Sequence, residues 1–262
     1  MSIDTSCNKF GPVWLSPGVE KGNTWTLMYA AFFTIGLLTF IGIGTPYVLT
    51  EILRIPSDEQ GTVSGNLVFW TEIVSLLLFG PVGIAADRIG RKSVYLFGFL
   101  TMGLGYALYP TADTVTELTL YRVIYAIGIA TSTGMLATIV TDYPQEASRG
   151  KLVGIVGAMN GLGVVFINRL FGSLPERFTS GGMDGVAAGE MVHWLVAGLC
   201  VISTVVLWFG LKDGTPVQAE NKPPIKDLAV SAFRQGMRNP RIALSYGAAF
   251  IARGDLVILG TF

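Results

Sequence analysis

Charge is scarce in this chain: Asp, Glu, Lys and Arg make up 14% of its 262 residues, against about 25% in an ordinary soluble domain. What charge there is balances, with 18 basic and 18 acidic residues. The basic residues are scattered among loops rather than gathered in a stripe, which removes the reason to expect a nucleic-acid partner. Cysteine is nearly missing too. Cys7 falls in a polar tail and Cys200 in an apolar run, so neither a disulfide framework nor a thiolate metal site follows. The single histidine, His193, stands beside Trp194 at the start of an apolar run and reads as an interfacial side chain, not a metal ligand. No metal and no cofactor are expected. The chain also lacks the context that enzyme readings need. Gly161-Leu162-Gly163 has no strand before it and no acidic residue at dinucleotide spacing after it, and no nucleophile and base stand paired.

What the chain has instead is apolar sequence, 51% of it, gathered in long runs. These cover about Trp25 to Leu49, Val63 to Ala86, Ser93 to Tyr109, Leu118 to Val140, Leu152 to Phe171 and Met191 to Leu211, with a seventh from Ile242 onward. Each matches the roughly 30 Å of a bilayer core at 1.5 Å per helical residue. Transmembrane strands need only about 9–11 residues and alternate in polarity, so runs this long predict helices. The fold class is therefore all-α and polytopic. Glycines inside the runs fit close helix crossing in lipid. The first run is too long for a signal h-region and is expected to be retained. The seventh is still apolar at Phe262, which leads to the expectation of an incomplete chain.

Lys and Arg set the orientation. With the N-terminus inside, the cytoplasmic segments hold Lys9, Lys21, Arg88, Arg91, Lys92, Arg149, Lys151, Lys212 and the basic residues that follow, while the other face holds Arg54 and Arg177. The expected organisation is a cytoplasmic tail over 1–24, a six-helix bundle over 25–211, a linker over 212–240 and the start of a further helix over 241–262. The linker opens on Lys212-Asp213-Gly214-Thr215-Pro216 and Lys222-Pro223-Pro224. After it, Ile225, Leu228, Ala229, Ala232 and Phe233 recur at helical spacing opposite Lys226, Arg234 and Arg238. That pattern suits a helix on the inner leaflet or one packed against the bundle.

Between the second and third runs lies Gly83-Ile-Ala-Ala-Asp87-Arg88-Ile-Gly90-Arg91-Lys92. So short a turn makes its two helices neighbours. Gly83 permits a close crossing, Gly90 can take positive φ, and Asp87 is placed to cap the third helix. Arg88, Arg91 and Lys92 then face water, lipid phosphate or the acidic end of another helix. Taken with Leu120-Tyr121-Arg122 ahead of Gly128, Ala130 and Gly134, and with Asp142-Tyr-Pro144-Gln-Glu146-Ala-Ser-Arg149-Gly150-Lys151, the chain resembles the N-terminal half of a major facilitator superfamily transporter. The turn carries the family's Gly-x-x-x-Asp-Arg-x-Gly-Arg-Arg/Lys pattern with nothing inserted, whereas Tyr125 replaces a usual glutamine. The resemblance implies that Gly83, Asp87, Arg88, Gly90, Arg91 and Lys92 form a conformational latch between two halves. A topogenic turn is the plainer reading of the same residues.

Charges inside apolar runs cost about 2.5–3.5 kcal/mol each at mid-membrane even on a lenient scale, and so they mark cavities or partners. Glu72, Arg122, Arg253 and Asp255 are the candidates for ion coupling or the substrate pathway, with Glu72 or Asp255 protonatable and Arg122 tuning it. Static ion pairs that fix helix packing are the alternative. Asn160 and Asn168 could line a polar path or bond between helices. Gly157 and Gly161 resemble part of a drug exporter's antiporter motif, but Leu162 stands where a proline is expected, and a GxxxG packing face explains them as well. Arg169 is expected to snorkel.

The resemblance implies a secondary transporter of a small solute, not an enzyme. It would work by alternating access, coupled to protons and with export as a candidate direction, in the plasma membrane with its N-terminus cytoplasmic. Uptake symport and uniport are the alternatives, and a non-transporting receptor or structural helical bundle is the different-class one. The expected partners are the solute, protons, the lipid bilayer and a C-terminal six-helix half. Without that half, this polypeptide alone is expected not to transport.

Overall fold

The computed structural model describes residues 6–212, and beyond them only the single positions Arg234, Asn239 and Leu244. The linker helix and the seventh run, with Arg253 and Asp255, lie outside the described residues. The helices in chain order are α1 (Lys21–Tyr47), α2 (Ser57–Ile89), α3 (Arg91–Leu108), α4 (Val115–Asp142), α5 (Arg149–Gly172), the short α6 (Leu174–Ser180) and α7 (Gly185–Gly210). The six long ones match the six complete apolar runs, several starting earlier than the apolar residues do.

Polar residues explain those earlier starts. Glu20 caps α1 reciprocally with Asn23, its amide donating to Asn23 Oδ1 at 2.9 Å. Thr114 accepts from the Glu117 amide at 3.2 Å ahead of α4, and Asp184 accepts from the Val186 amide at 3.0 Å ahead of α7. Among the described residues, five helical stretches are long and apolar enough to cross a membrane: Lys21–Ile52, Ser57–Ile89, Val115–Asp142, Glu146–Ser180 and Gly185–Gly210. Helix α3 has 18 residues and opens on Arg91 and Lys92, which shortens its apolar part. It is sheltered by packing on α4 and α7. Outward faces carry Leu76, Leu77, Val165, Val201 and Phe209, all exposed; apolar side chains facing out suit lipid as solvent. The chain is an integral membrane protein.

Helix α1 packs on α5, α3 on α4, and α2 on α4. Small residues set the first two of those contacts. A Cβ added at Gly163 of α5 would strike the Phe32 carbonyl of α1, and one at Gly128 of α4 would strike the Met102 backbone of α3. Gly157 and Gly161 do not do this work. Both are exposed, and no described atom lies within 4 Å of a Cβ built on either. The docking face of α5 is Leu152, Val156, Gly163 and Ile167, and the GxxxG pair lies off that face. Threonines Thr119, Thr131, Thr133 and Thr138 of α4 donate to carbonyls four residues back, which satisfies their hydroxyls within the helix.

The N-terminal segment differs from a polar tail. Lys9–Phe10 (β1) pairs antiparallel with Val13–Trp14 (β2), and Val13, Leu15 and Val19 are buried. This hairpin lies on the α4–α5 connection. Ser16 N donates to Tyr143 O at 2.7 Å, Gln145 N to Trp14 O at 2.8 Å, and Trp14 N to Ser148 Oγ at 3.0 Å.

Candidate functional site

Helix α1 contains Pro46, which has no N–H for the Gly42 carbonyl one turn back. A five-residue π-helical turn, Val48–Ile52, follows, as disrupted helix ladders often show. Thr45 sits at this disturbance, 4% exposed. Its hydroxyl donates to Ile41 O at 2.6 Å, and its oxygen accepts from Arg122 Nη1 at 3.2 Å. Tyr109 Oη lies 3.0 Å away. Because the Thr45 proton is committed to Ile41 and arginine can only donate, the tyrosine hydroxyl is the donor in that pair.

Arg122 lies seven residues into α4, about 11 Å from its start, and is 5% exposed. Its Nε donates to Thr71 Oγ1 of α2 at 3.0 Å. The guanidinium carbon stands 5.4 Å from the Tyr125 ring centroid and 5.9 Å from that of Tyr109, within cation–π range. Three helices thus converge on one buried cation. Beside it opens a crevice of about 60 Å³ between α1 and α2, lined by Gly42, Thr45, Pro46, Ser64, Leu67 and Val68, roomy enough for water. The arrangement can hold an anion, a carboxylate or a water chain against a fixed positive charge.

Glu72 is half-buried near the middle of α2 and directly follows Thr71, the residue that Arg122 touches. It lies about 100° round the helix from that contact. Asn168 of α5 bonds Thr39 of α1 through Nδ2 at 3.1 Å, an interhelical bond. Asn160 keeps a buried Oδ1 with no hydrogen-bond partner among the described residues.

His193 is more than two turns inside α7, not at an interface, and only 2% exposed. Its Nδ1 is 2.8 Å from Gly189 O. Since a carbonyl only accepts, Nδ1 carries the proton. The ring stacks on Tyr109 at 5.9 Å and so joins the aromatic wall behind Arg122. Tyr125 Oη donates to Leu38 O of α1 at 2.9 Å, and Tyr106 to Leu37 O. Thr45, Thr71 and Tyr109 complete the cluster and are not singled out by the sequence, while His193, read there as interfacial, joins it from inside α7.

At the Gly83–Lys92 turn, one residue joins α2 to α3: Gly90, at φ 95°, a conformation that favours glycine. Helix α3 has no side-chain cap, its N-cap being Gly90. Asp87 is still inside α2, where its charge acts on Arg91. Arg91 forms an ion pair with Asp142, the last residue of α4. The acidic end of another helix is thus the partner that Arg91 takes. Lys92 lies 5.7 Å from the Trp208 ring of α7. Gly83 permits no crossing here, since no described atom lies within 4 Å of a Cβ built on it.

Residues 27–262 match the model of the Major Facilitator Superfamily. The chain belongs to that superfamily. It is 24% identical over 236 residues to magnetosome protein MamH of Paramagnetospirillum magneticum, covering 86% of this chain and 51% of that protein. It is 27% identical over 243 residues to low affinity inorganic phosphate transporter 8 of Medicago truncatula, covering 79% and 43%. Multidrug resistance protein 3 of Bacillus subtilis is 35% identical over 138 residues, 51% of this chain and 27% of that protein. A solved bacterial homolog of the human lysosomal transporter Spinster, in an inward-facing and unoccupied conformation, shares the fold. Its TM-score is 0.61 at 22% identity, over 90% of this chain and 53% of that one. The chain thus matches between about a quarter and about half of the length of these proteins.

Proposed function

We propose that the chain forms one half of a secondary transporter that carries a small solute by alternating access, with a second six-helix half completing the pathway. The observation that carries this reading is Arg122, a guanidinium buried where three helices meet beside a crevice. A packing contact has no need of a charge there, while a solute or ion pathway does. Two helices support the second half: 22% of the apolar window is buried in α2 and in α5, against 61% in α4. Their open sides offer surface for a partner bundle. Among relatives, the names phosphate transporter and multidrug resistance protein support a small-solute cargo.

In this reading transport is coupled to protons. Glu72 or Asp255 carries the proton, Arg122 biases its affinity by charge, and Arg253, Asn160 and Asn168 serve the pathway. The Gly83–Lys92 turn is the latch. Asp87, Arg88, Arg91 and Lys92 hold one conformation through charge contacts at that end of the bundle, and release in the other. The asymmetry of Lys and Arg supports a cytoplasmic turn and N-terminus in the plasma membrane.

The test uses the full-length protein in proteoliposomes with an imposed pH gradient, with inorganic phosphate and a cationic dye as probes. Glu72→Gln, Asp255→Asn and Arg122→Gln are compared with the unmodified protein. Gradient-driven flux that falls at least about ten-fold in Arg122→Gln and in one acidic variant is expected. Flux that ignores the gradient and survives all three changes removes proton coupling. No flux for either probe favours a receptor or structural bundle.

A further inference from the structure

At the end of the bundle opposite the Gly83–Lys92 turn, a recess of about 490 Å³ runs along the outer side of α5. Its walls are Phe32, Leu162, Val165 and Phe166, and Arg169 and Arg177 line it as well. The walls are apolar and open: Leu162 is 59% exposed, Val165 69% and Phe166 51%. The two arginines come from different helices. Arg169 is in the last turn of α5 and Arg177 is in α6. Neither guanidinium has an ion-pair or hydrogen-bond partner among the described residues. Adjacent Glu176 faces elsewhere, into a separate cavity of about 670 Å³ walled by α1, α5, α6 and α7. The recess therefore carries positive charge and no negative charge.

We propose that this recess binds an anionic phospholipid, with its phosphate on Arg169 and Arg177 and an acyl chain along Phe32, Leu162, Val165 and Phe166. The inference rests on the chain spanning a membrane, and not on what it transports. Depth fits the occupant. Leu162 is seven residues before Arg169, about 10 Å deeper along the helix. The guanidiniums thus stand at headgroup level with the apolar wall below them, the arrangement in which arginine side chains snorkel. Two planar donor forks suit phosphate oxygens. A water-soluble anion would leave the apolar wall uncovered, and an uncharged lipid would leave two guanidiniums at the bilayer face without a counter-charge. The occupant that satisfies both parts has a charged phosphate and a hydrocarbon chain.

The full-length protein, stripped of lipid in mild detergent, is titrated with dioleoyl phosphatidylglycerol, dioleoyl phosphatidylcholine or glycerol 3-phosphate, and the adducts are counted by native mass spectrometry. Phosphatidylglycerol is expected to bind most tightly. Arg169→Gln and Arg177→Gln should each weaken it about five-fold and together about 25-fold, in line with the worth of a basic residue at an anionic lipid surface. Val165→Trp, which fills the recess without touching charge, should displace the lipid too. Both arginines are exposed, so their variants are expected to fold, which a thermal melt checks. Equal binding of the two lipids, or no change in the double variant, overturns the proposal. Glycerol 3-phosphate binding as well as the lipid does the same, because it assigns the site to a soluble anion. None of these outcomes depends on flux, so a failure here is separable from a failure of the transport reading.

Discussion

The two ends of the bundle are built on different terms. At the end bearing the Gly83–Lys92 turn, connections are bound by backbone hydrogen bonds and charge. The hairpin lies on the α4–α5 connection, Arg91 holds Asp142, and Asn23 Nδ2 of α1 donates to Gly210 O of α7 at 2.8 Å. The opposite end holds the cavity of about 670 Å³ and the open recess on α5. One end is stapled across several helices, while the other leaves space between them. Deformation therefore concentrates at the open end for as long as the staples hold, and a change of state that needs the stapled end to part must first break named contacts.

The largest effect expected from breaking this contrast is loss of the hairpin. Deleting residues 6–19 uncovers sites filled by Val13, Leu15 and Val19, buried to 3% exposure or less, and should cost on the order of 4 kcal/mol of stability. A thermal melt in detergent reads the loss, and hydrogen exchange locates it. Protection at Gln145 and Ser148 should fall. Unchanged protection there would mean that the hairpin is not the staple.

A middle-sized effect is expected at the ion pair. Arg91 and Asp142 are 21% and 33% exposed, so breaking the pair by Arg91→Ala or Asp142→Asn should cost only about 1–2 kcal/mol after screening. A double-mutant cycle should return coupling between them. Additive single effects would show that the two act separately.

The smallest effects belong to the open end. Asp184→Ala removes the cap of α7 at a cost of about 1 kcal/mol, whereas Asp184→Asn keeps an acceptor and should cost a few tenths. Glu51→Gln, on an exposed cavity rim, should change stability by less than about 0.5 kcal/mol. A larger loss at Glu51 than at Arg91 would reverse the contrast between the ends.

The run of six helices and their order were legible in the apolar stretches, because spans this long admit one kind of structure in lipid. Their starts were less legible. Ser57-Asp58-Glu59-Gln60 is polar yet helical, since a helix can continue past the hydrocarbon that defines the run. The hairpin could not be read: its strands are two residues each and its partner lies some 130 positions away. For Gly157 and Gly161, spacing says that two small residues share a face, but not which face meets a neighbour among the described residues. Arg122 was legible through the cost of its charge. Thr45 and Thr71 were not, since hydroxyls that bond their own helix are common in this chain and only the folded bundle brings these two to the guanidinium.

Lys212 ties the last described turn of the bundle back to its beginning. Its amide donates to Tyr143 Oη at 3.1 Å and its Nζ to Pro17 O at 3.1 Å. The six helices are thus knotted where the chain leaves them, one residue from Asp142. A pull on the chain at Lys212 would load the Tyr143 hydroxyl and the Pro17 carbonyl before it loads any helix, because these are what Lys212 holds.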